Sequence, residues 1–104
     1  MRFGLKEADI ELIKNVFSNF PEVEKVVIYG SRAKGSYKPT SDIDLTLFGN
    51  KLNLTILQKI ENDLDDLMLP YFFDISIFSQ ISNQDLVEHI NRIGNLFFKR
   101  IKEK

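Results

Sequence analysis

Residues 42–47, Asp-Ile-Asp-Leu-Thr-Leu, alternate strictly between polar and apolar side chains. Successive side chains of a β-strand point to opposite faces, so this stretch, continued to Phe48, predicts a strand with two distinct faces. Ile43, Leu45 and Leu47 form the apolar face, while the other face carries two aspartates, Asp42 and Asp44. Two carboxylates on one strand face repel each other, so the fold must place something beside them that compensates their charge.

Strands and helices alternate along the rest of the chain. Runs rich in β-branched and aromatic residues predict two further strands, over 23–29 and 71–78. Apolar residues at helical spacing predict helices over 6–19 and 53–69. Pro21 and Pro70 follow these ranges and prevent the helices from continuing. A last helix, capped by Asn83 or Ser82, is predicted to carry Leu86, Ile90, Ile93, Phe97 and Ile101. The order predicts a single α/β (α+β) domain over 1–104, with a small mixed three-stranded sheet flanked by helices.

The bulk composition excludes several classes of protein. The 104 residues contain no cysteine, which excludes a disulfide framework and a thiolate metal site. A net charge of −1 and scattered basic residues argue against nucleic acid as a partner. No apolar run approaches the ~20 residues that cross a bilayer, so no membrane association and a cytoplasmic location are expected.

A third aspartate interrupts the apolar strand at 71–78. Asp74 follows Phe72 and Phe73, although aspartate is a poor strand former. If this strand neighbours the one at 42–48, Asp42, Asp44 and Asp74 can converge on one point. A divalent ion would relieve their repulsion, and oxygen-only ligands favour Mg²⁺, with Mn²⁺ as the alternative. Against this stands the simpler interpretation that each aspartate is a cap, a turn residue or half of an ion pair.

A glycine-serine turn follows the first predicted strand. Gly30 would let a phosphate approach the backbone closely, and the N–H groups after it point outward. Ser31 adds a hydroxyl donor, and Arg32 and Lys34 place positive charge nearby. A Gly-Ser turn alone is weak support for a nucleotide site, because most such turns only connect two elements.

The spacing of this turn from the aspartates carries a family resemblance. Gly30-Ser31, ten residues and then Asp42-Ile43-Asp44 match the G-S-x10-D-x-D signature of the nucleotidyltransferase superfamily related to DNA polymerase beta. The fuller string G-S-R-A-K-G-x5-S-D-I-D-L resembles the minimal nucleotidyltransferase (MNT) family. The resemblance implies a polymerase beta-like fold, three aspartates that coordinate Mg²⁺ and catalyse transfer, and nucleotide binding near the turn. The predicted nucleotide-binding residues are Gly30, Ser31, Arg32, Lys34 and Ser41.

The same resemblance implies an activity and a partner. Members of the MNT family often act as antitoxins beside a HEPN-domain toxin, which implies transfer of AMP from ATP to a tyrosine of that toxin and a hetero-oligomer. A binding module that blocks its partner sterically, and a small-molecule nucleotidyltransferase, remain as alternatives. The apolar residues of the last predicted helix cover more than one narrow stripe. This breadth indicates either a partner surface or a helix that packs broadly on the sheet. The residues are Ile93, Leu96, Phe97, Phe98 and Ile101.

Two further features carry no predicted chemistry. His89, on the last predicted helix, is interpreted as a surface or packing residue. Asp63 and Asp65 form a second D-x-D, but helical spacing places them on different sides of a helix, so they are expected to face solvent.

Overall fold

The computed structural model describes residues 1–101, which form four helices, four strands and one 3-10 turn. The helices are α1 (Glu7–Ser18), α2 (Gly30–Lys34), α3 (Leu54–Asp66) and α4 (Gln84–Ile93), and the 3-10 turn is Phe78–Gln80. The strands are β1 (Lys25–Tyr29), β2 (Ile43–Phe48), β3 (Phe73–Ile77) and β4 (Asn95–Lys99). No helix within 1–101 is long and apolar enough to cross a membrane.

The strands form one mixed sheet in the order β3-β2-β1-β4. β1 is antiparallel to both β2 and β4, whereas β2 and β3 are parallel. The predicted α/β class and the three predicted strands are confirmed, but the sheet has four strands rather than three. The parallel pair requires a crossover connection, which α3 provides between β2 and β3.

The fourth strand lies where the sequence predicted the end of a helix. α4 begins after Asn83, whose side chain accepts hydrogen bonds from the N–H groups of Asp85 and Leu86, as predicted. It ends at Ile93, and residues 95–99 pair with β1, which would otherwise have an unpaired edge. The prediction of one helix from Leu86 to Ile101 was therefore wrong, because Phe97 follows Ile93 at a spacing that also suits a helix.

The apolar face of the sheet packs against α1 and α3. Strand residues such as Ile28, Ile43 and Leu45 are completely buried against side chains from both helices. Phe97 joins this core at 4% exposure, so it covers the sheet and is not available as a partner surface. The other face carries Asp44 and Thr46, and α4 packs against β1 there.

We expect the neighbouring residues Phe97 and Leu96 to differ sharply in their contribution to stability. Phe97 is buried against the rings of Phe3 and Phe17, at centroid distances of 6.3 and 6.4 Å, whereas Leu96 is 54% exposed. Phe97→Ala should lower the free energy of unfolding by about 3–5 kcal/mol. Leu96→Ala should change it by less than about 1 kcal/mol. Urea unfolding of both variants tests this, and equal losses would contradict the β4 assignment.

Candidate active site

The parallel pairing of β2 and β3 places two of the predicted acids side by side. Asp44 and Asp74 are register partners across these strands, and Thr46 and Ser76 are the next pair on the same face. On its other side Asp44 pairs with Tyr29, the last residue of β1. Asp42 lies two residues before Asp44 and is exposed, as is Asp74, while Asp44 is half-buried. Strand alternation therefore directs the three carboxylates towards the same face of the sheet.

The electrostatic consequence appears at Asp44. Burial, followed by the charges of Asp74 and Asp42, raises the pKa of Asp44 to about 6, against the opposing effect of Arg32. Ionisation of Asp44 is thus less favourable in the folded protein than in the unfolded chain, and a bound cation would offset this difference. The parallel register of β2 and β3 brings the acids close enough to repel one another.

The donor set suits a hard divalent cation in its chemistry. It consists of carboxylate oxygens, which Mg²⁺ and Mn²⁺ prefer, and two of the three carboxylates are exposed. Within residues 1–101, however, no three His, Cys, Asp or Glu side chains are grouped so that they could hold a metal ion. The three aspartates lie on one face of the sheet, and the charges of Asp42 and Asp74 act on Asp44. Their carboxylates do not surround one common position.

The Gly30-Ser31 turn lies directly against this acid pair. Gly30 has a φ of 74°, in the left-handed region that favours glycine. A Cβ atom built on Gly30 would overlap Oδ2 of Asp44. Gly30 begins the short helix α2, and the Ser31 carbonyl accepts hydrogen bonds from the N–H groups of Gly35 and Ser36 at 2.9 and 3.1 Å. The predicted phosphate-binding turn is therefore in direct contact with the predicted metal ligand Asp44.

The other predicted nucleotide-binding residues have different surroundings. Arg32 is buried at 2% exposure, and its guanidinium donates four hydrogen bonds to the carbonyls of Phe3, Pro39 and Ser41. The Ser41 hydroxyl accepts a hydrogen bond of 2.8 Å from the Lys38 backbone. Lys34, in contrast, is exposed at the end of α2. A nucleotide-binding role stays a prediction for all three, but the polar groups of Arg32 and Ser41 already have partners in the protein.

Sequence reasoning missed a group of polar side chains beside the acids, namely Tyr29, Thr46 and Ser76. The Ser76 hydroxyl donates to Thr46 Oγ1 at 2.9 Å, and the buried Tyr29 pairs with Asp44 across β1 and β2. Burial, together with the charges of Asp74 and Asp44, raises the pKa of Tyr29. Alternation on the two strands already placed Thr46 with Asp44 and Ser76 with Asp74. Tyr29 gave no such signal, because it ends an apolar run.

The histidine and the second D-x-D show no chemistry of their own. The His89 ring meets the Tyr29 ring edge-on with centroids 6.2 Å apart, which is the packing role expected from sequence. This contact nevertheless brings α4 to the border of the acid face. Asp63 and Asp65 are exposed on α3, on either side of the buried Leu64, as predicted.

We expect Asp44→Asn to stabilise the metal-free protein at neutral pH. A folded-state pKa of about 6 against an ordinary 3.8 means that the folded protein loses stability as pH rises between these values. This difference corresponds to at most about 3 kcal/mol. Because the carboxylate is partly exposed, solvent screening reduces the expected gain to about 1 kcal/mol.

Chemical denaturation in the presence of a chelator tests this expectation. The advantage of Asp44→Asn should be full at pH 7–8 and should fade towards pH 4. Asp63→Asn, on the exposed side of α3, is the control. An Asp44→Asn variant no more stable than wild type at pH 7.5 would show that the acids do not strain the fold.

Solved structures with this fold include nucleotidyltransferase complexes. A crystal structure of a toxin-antitoxin with AMP-PNP matches at a TM-score of 0.70 and 18% identity, covering 92% of this chain and 75% of that chain. A tri-AMPylated HEPN toxin of Shewanella oneidensis in complex with an MNT antitoxin matches at 0.67 and 13%, covering 92% and 74%. A Sulfolobus solfataricus protein assigned as a nucleotidyltransferase matches at 0.52 and 25%, covering 96% and 90%. At these identities the first two likenesses concern the fold.

The family follows from the sequence match. No curated protein matches the chain. Residues 11–103 match the family described as "Polymerase beta, Nucleotidyltransferase". This range contains the glycine-serine turn, all three aspartates and every strand of the sheet. The chain therefore belongs to the polymerase beta nucleotidyltransferase family.

Proposed function

We propose that this chain transfers AMP from ATP to a tyrosine hydroxyl of a HEPN-domain toxin in the cytoplasm, and so acts as an antitoxin. One observation carries the proposal: Gly30 stands directly against Asp44, which is the register partner of Asp74. A phosphate held at the turn would therefore lie beside the carboxylates. The positions of these groups support nucleotidyl transfer better than any other chemistry of the described residues.

Asp42, Asp44 and Asp74 would hold Mg²⁺, with Mn²⁺ as the substitute. When bound, such an ion lowers the pKa of the acceptor hydroxyl and neutralises charge on the triphosphate. Gly30 has no side chain and so lets Asp44 lie directly against the turn, and Ser31 offers a hydroxyl donor. Lys34, exposed at the end of the same short helix, offers a positive charge. Positioning and electrostatics carry most of the catalysis in such reactions, so no protein nucleophile is needed.

The acceptor would come from the partner. Asp42 and Asp74 are exposed, so the acid face is open to an approaching hydroxyl. AMP as the transferred group and a HEPN protein as acceptor are supported by the similar folds of the AMP-PNP complex and the AMPylated toxin complex. These assignments rest on similarity, whereas the acid pair and the turn belong to this chain.

One observation favours a second function. The three carboxylates are not grouped around a single position in residues 1–101. A binding protein that blocks its partner sterically would not need them to converge. The two functions differ in one product, because only the enzyme leaves AMP covalently attached to its partner.

We expect Asp42→Asn and Asp44→Asn to reduce transfer by at least about 10³-fold without unfolding the protein, since each removes a carboxylate from the proposed metal site. Transfer is measured as radiolabel from α-labelled ATP on the co-purified HEPN partner, with Mg²⁺ present. Asp63→Asn is the matched control on α3 and should keep wild-type transfer. Undiminished labelling by both site variants would refute the proposed mechanism. A wild type that binds the partner without labelling it would favour the steric function.

We expect Gly30→Ala to abolish most transfer, whereas Gly35→Ala should not. Both glycines have positive φ, 74° and 89°, so alanine at either position carries a similar backbone strain of about 1–2 kcal/mol. Only at Gly30 would the added Cβ meet Asp44; at Gly35 it meets nothing within 4 Å. Melting temperatures and transfer rates of the two variants provide the comparison. Equal rates would mean that the close approach of Gly30 to Asp44 is not needed for transfer.

A further inference from the structure

We propose that Arg32 is a positioning residue for Asp42, and that it acts through the protein backbone instead of through phosphate. The inference deepens the proposed function, on which its catalytic consequence rests. The Arg32 side chain is 2% exposed, the most buried charged side chain within residues 1–101. Such a cation must have a full set of partners inside the protein.

Its partners lie in the segment that leads to Asp42. Nε and Nη2 donate to the Ser41 carbonyl at 3.0 and 2.9 Å, and Nη2 also donates to the Pro39 carbonyl at 3.2 Å. The Ser41 carbonyl belongs to the same planar peptide unit as the Asp42 nitrogen. Two charge-assisted hydrogen bonds to this oxygen therefore orient the peptide plane from which Asp42 projects.

The guanidinium is itself held by two other parts of the chain. Nη1 donates to the Phe3 carbonyl at 2.9 Å, which ties the group to the N-terminal segment. The rings of Tyr37 and Tyr71 lie 5.5 and 5.2 Å from the guanidinium carbon, within the range of cation–π attraction. Tyr71 lies two residues before Phe73, where the strand that carries Asp74 begins. One buried cation thus contacts the segments leading to Asp42 and to Asp74.

Arg32 also contributes charge to the acid cluster. It counteracts the burial and repulsion that raise the pKa of Asp44. A phosphate ligand would have to compete with three backbone carbonyls for these donors, and it would have to reach a side chain that solvent does not reach. Lys34, two residues later, is exposed and is the better candidate for that contact.

Lysine cannot replace arginine in this arrangement. A guanidinium presents its N–H groups as a rigid planar fork, whereas an ammonium is a point charge on a flexible stem. Arg32→Lys therefore keeps the charge but loses the geometry that holds the Ser41 carbonyl. A phosphate contact by charge alone would largely survive this change.

Arg100 provides a matched control. Its guanidinium also donates four hydrogen bonds to carbonyls, those of Phe17, Ser18, Phe20 and Val23. It likewise lies near an aromatic ring, 5.6 Å from the Phe98 centroid. These partners lie at the end of α1 and in the loop before β1, and none belongs to the segments that lead to Asp42 or Asp74. Arg100→Lys should therefore cost comparable stability without affecting the acids.

The experiment compares Arg32→Lys and Arg100→Lys in three measurements at a temperature where both are folded. These are ¹⁵N order parameters of residues 36–42, affinity for Mn²⁺ alone by electron paramagnetic resonance, and AMP transfer to the HEPN partner. For Arg32→Lys we expect lower order at Ser41 and Asp42, and about 10–100-fold losses in Mn²⁺ affinity and transfer. For Arg100→Lys we expect all three within about 3-fold of wild type, since none of its partners belongs to the segments that lead to the acids.

Wild-type loop order and Mn²⁺ affinity in Arg32→Lys would overturn the proposal, as would equal losses in Arg100→Lys. Tyr71→Leu, compared with Tyr71→Phe, replaces Arg32→Lys if that variant does not fold. Removal of the ring should then loosen the same loop, and an unchanged loop would count against the proposal. A wild type without Mn²⁺ binding or transfer would instead refute the proposed function, and the order parameters would still decide whether Arg32 holds Asp42.

Discussion

Parallel pairing of β2 with β3 sets Asp44 against Asp74 and Thr46 against Ser76 on one face of the sheet. The opposite face of the same strands carries Ile43, Leu45 and Leu47, all completely buried. Burial of this apolar face supplies the favourable free energy that holds two like charges close together. The acid pair therefore exists because the fold is stabilised elsewhere, and its repulsion is released only when a cation binds or a proton is taken up.

Three segments that are distant in sequence meet at this pair. The glycine-serine turn after β1 contacts Asp44. The loop before β2 leads to Asp42, and the segment before β3 leads to Asp74. The buried Arg32 contacts the last two of these segments and extends from the helix that begins at the first. Arg32, which the sequence predicted to bind a nucleotide, can thus instead position the segments that carry the acids.

Most of the fold was readable from local patterns, and so was the acid face. Strict alternation at 42–47 and a lone aspartate in an apolar strand led to Asp42, Asp44 and Asp74. The prediction failed at β4. Phe97 lies four residues after Ile93, a spacing that continues the helical pattern of α4, although the chain is a strand from Asn95 to Lys99. What decided between the two was the unpaired edge of β1, a property of the assembled sheet that no local window contains.

The sequence by itself determined which side chains share a face of each element, since this follows from the two- and 3.6-residue periods of strand and helix. It also determined that the turn and the first two acids lie a fixed number of residues apart. Only the tertiary structure decided that β2 and β3 are parallel neighbours, that Tyr29 and Ser76 lie beside the acids, and that Arg32 points into the protein. Strand order, register and burial depend on contacts between residues far apart in the chain, and these become defined only when the whole core packs at once.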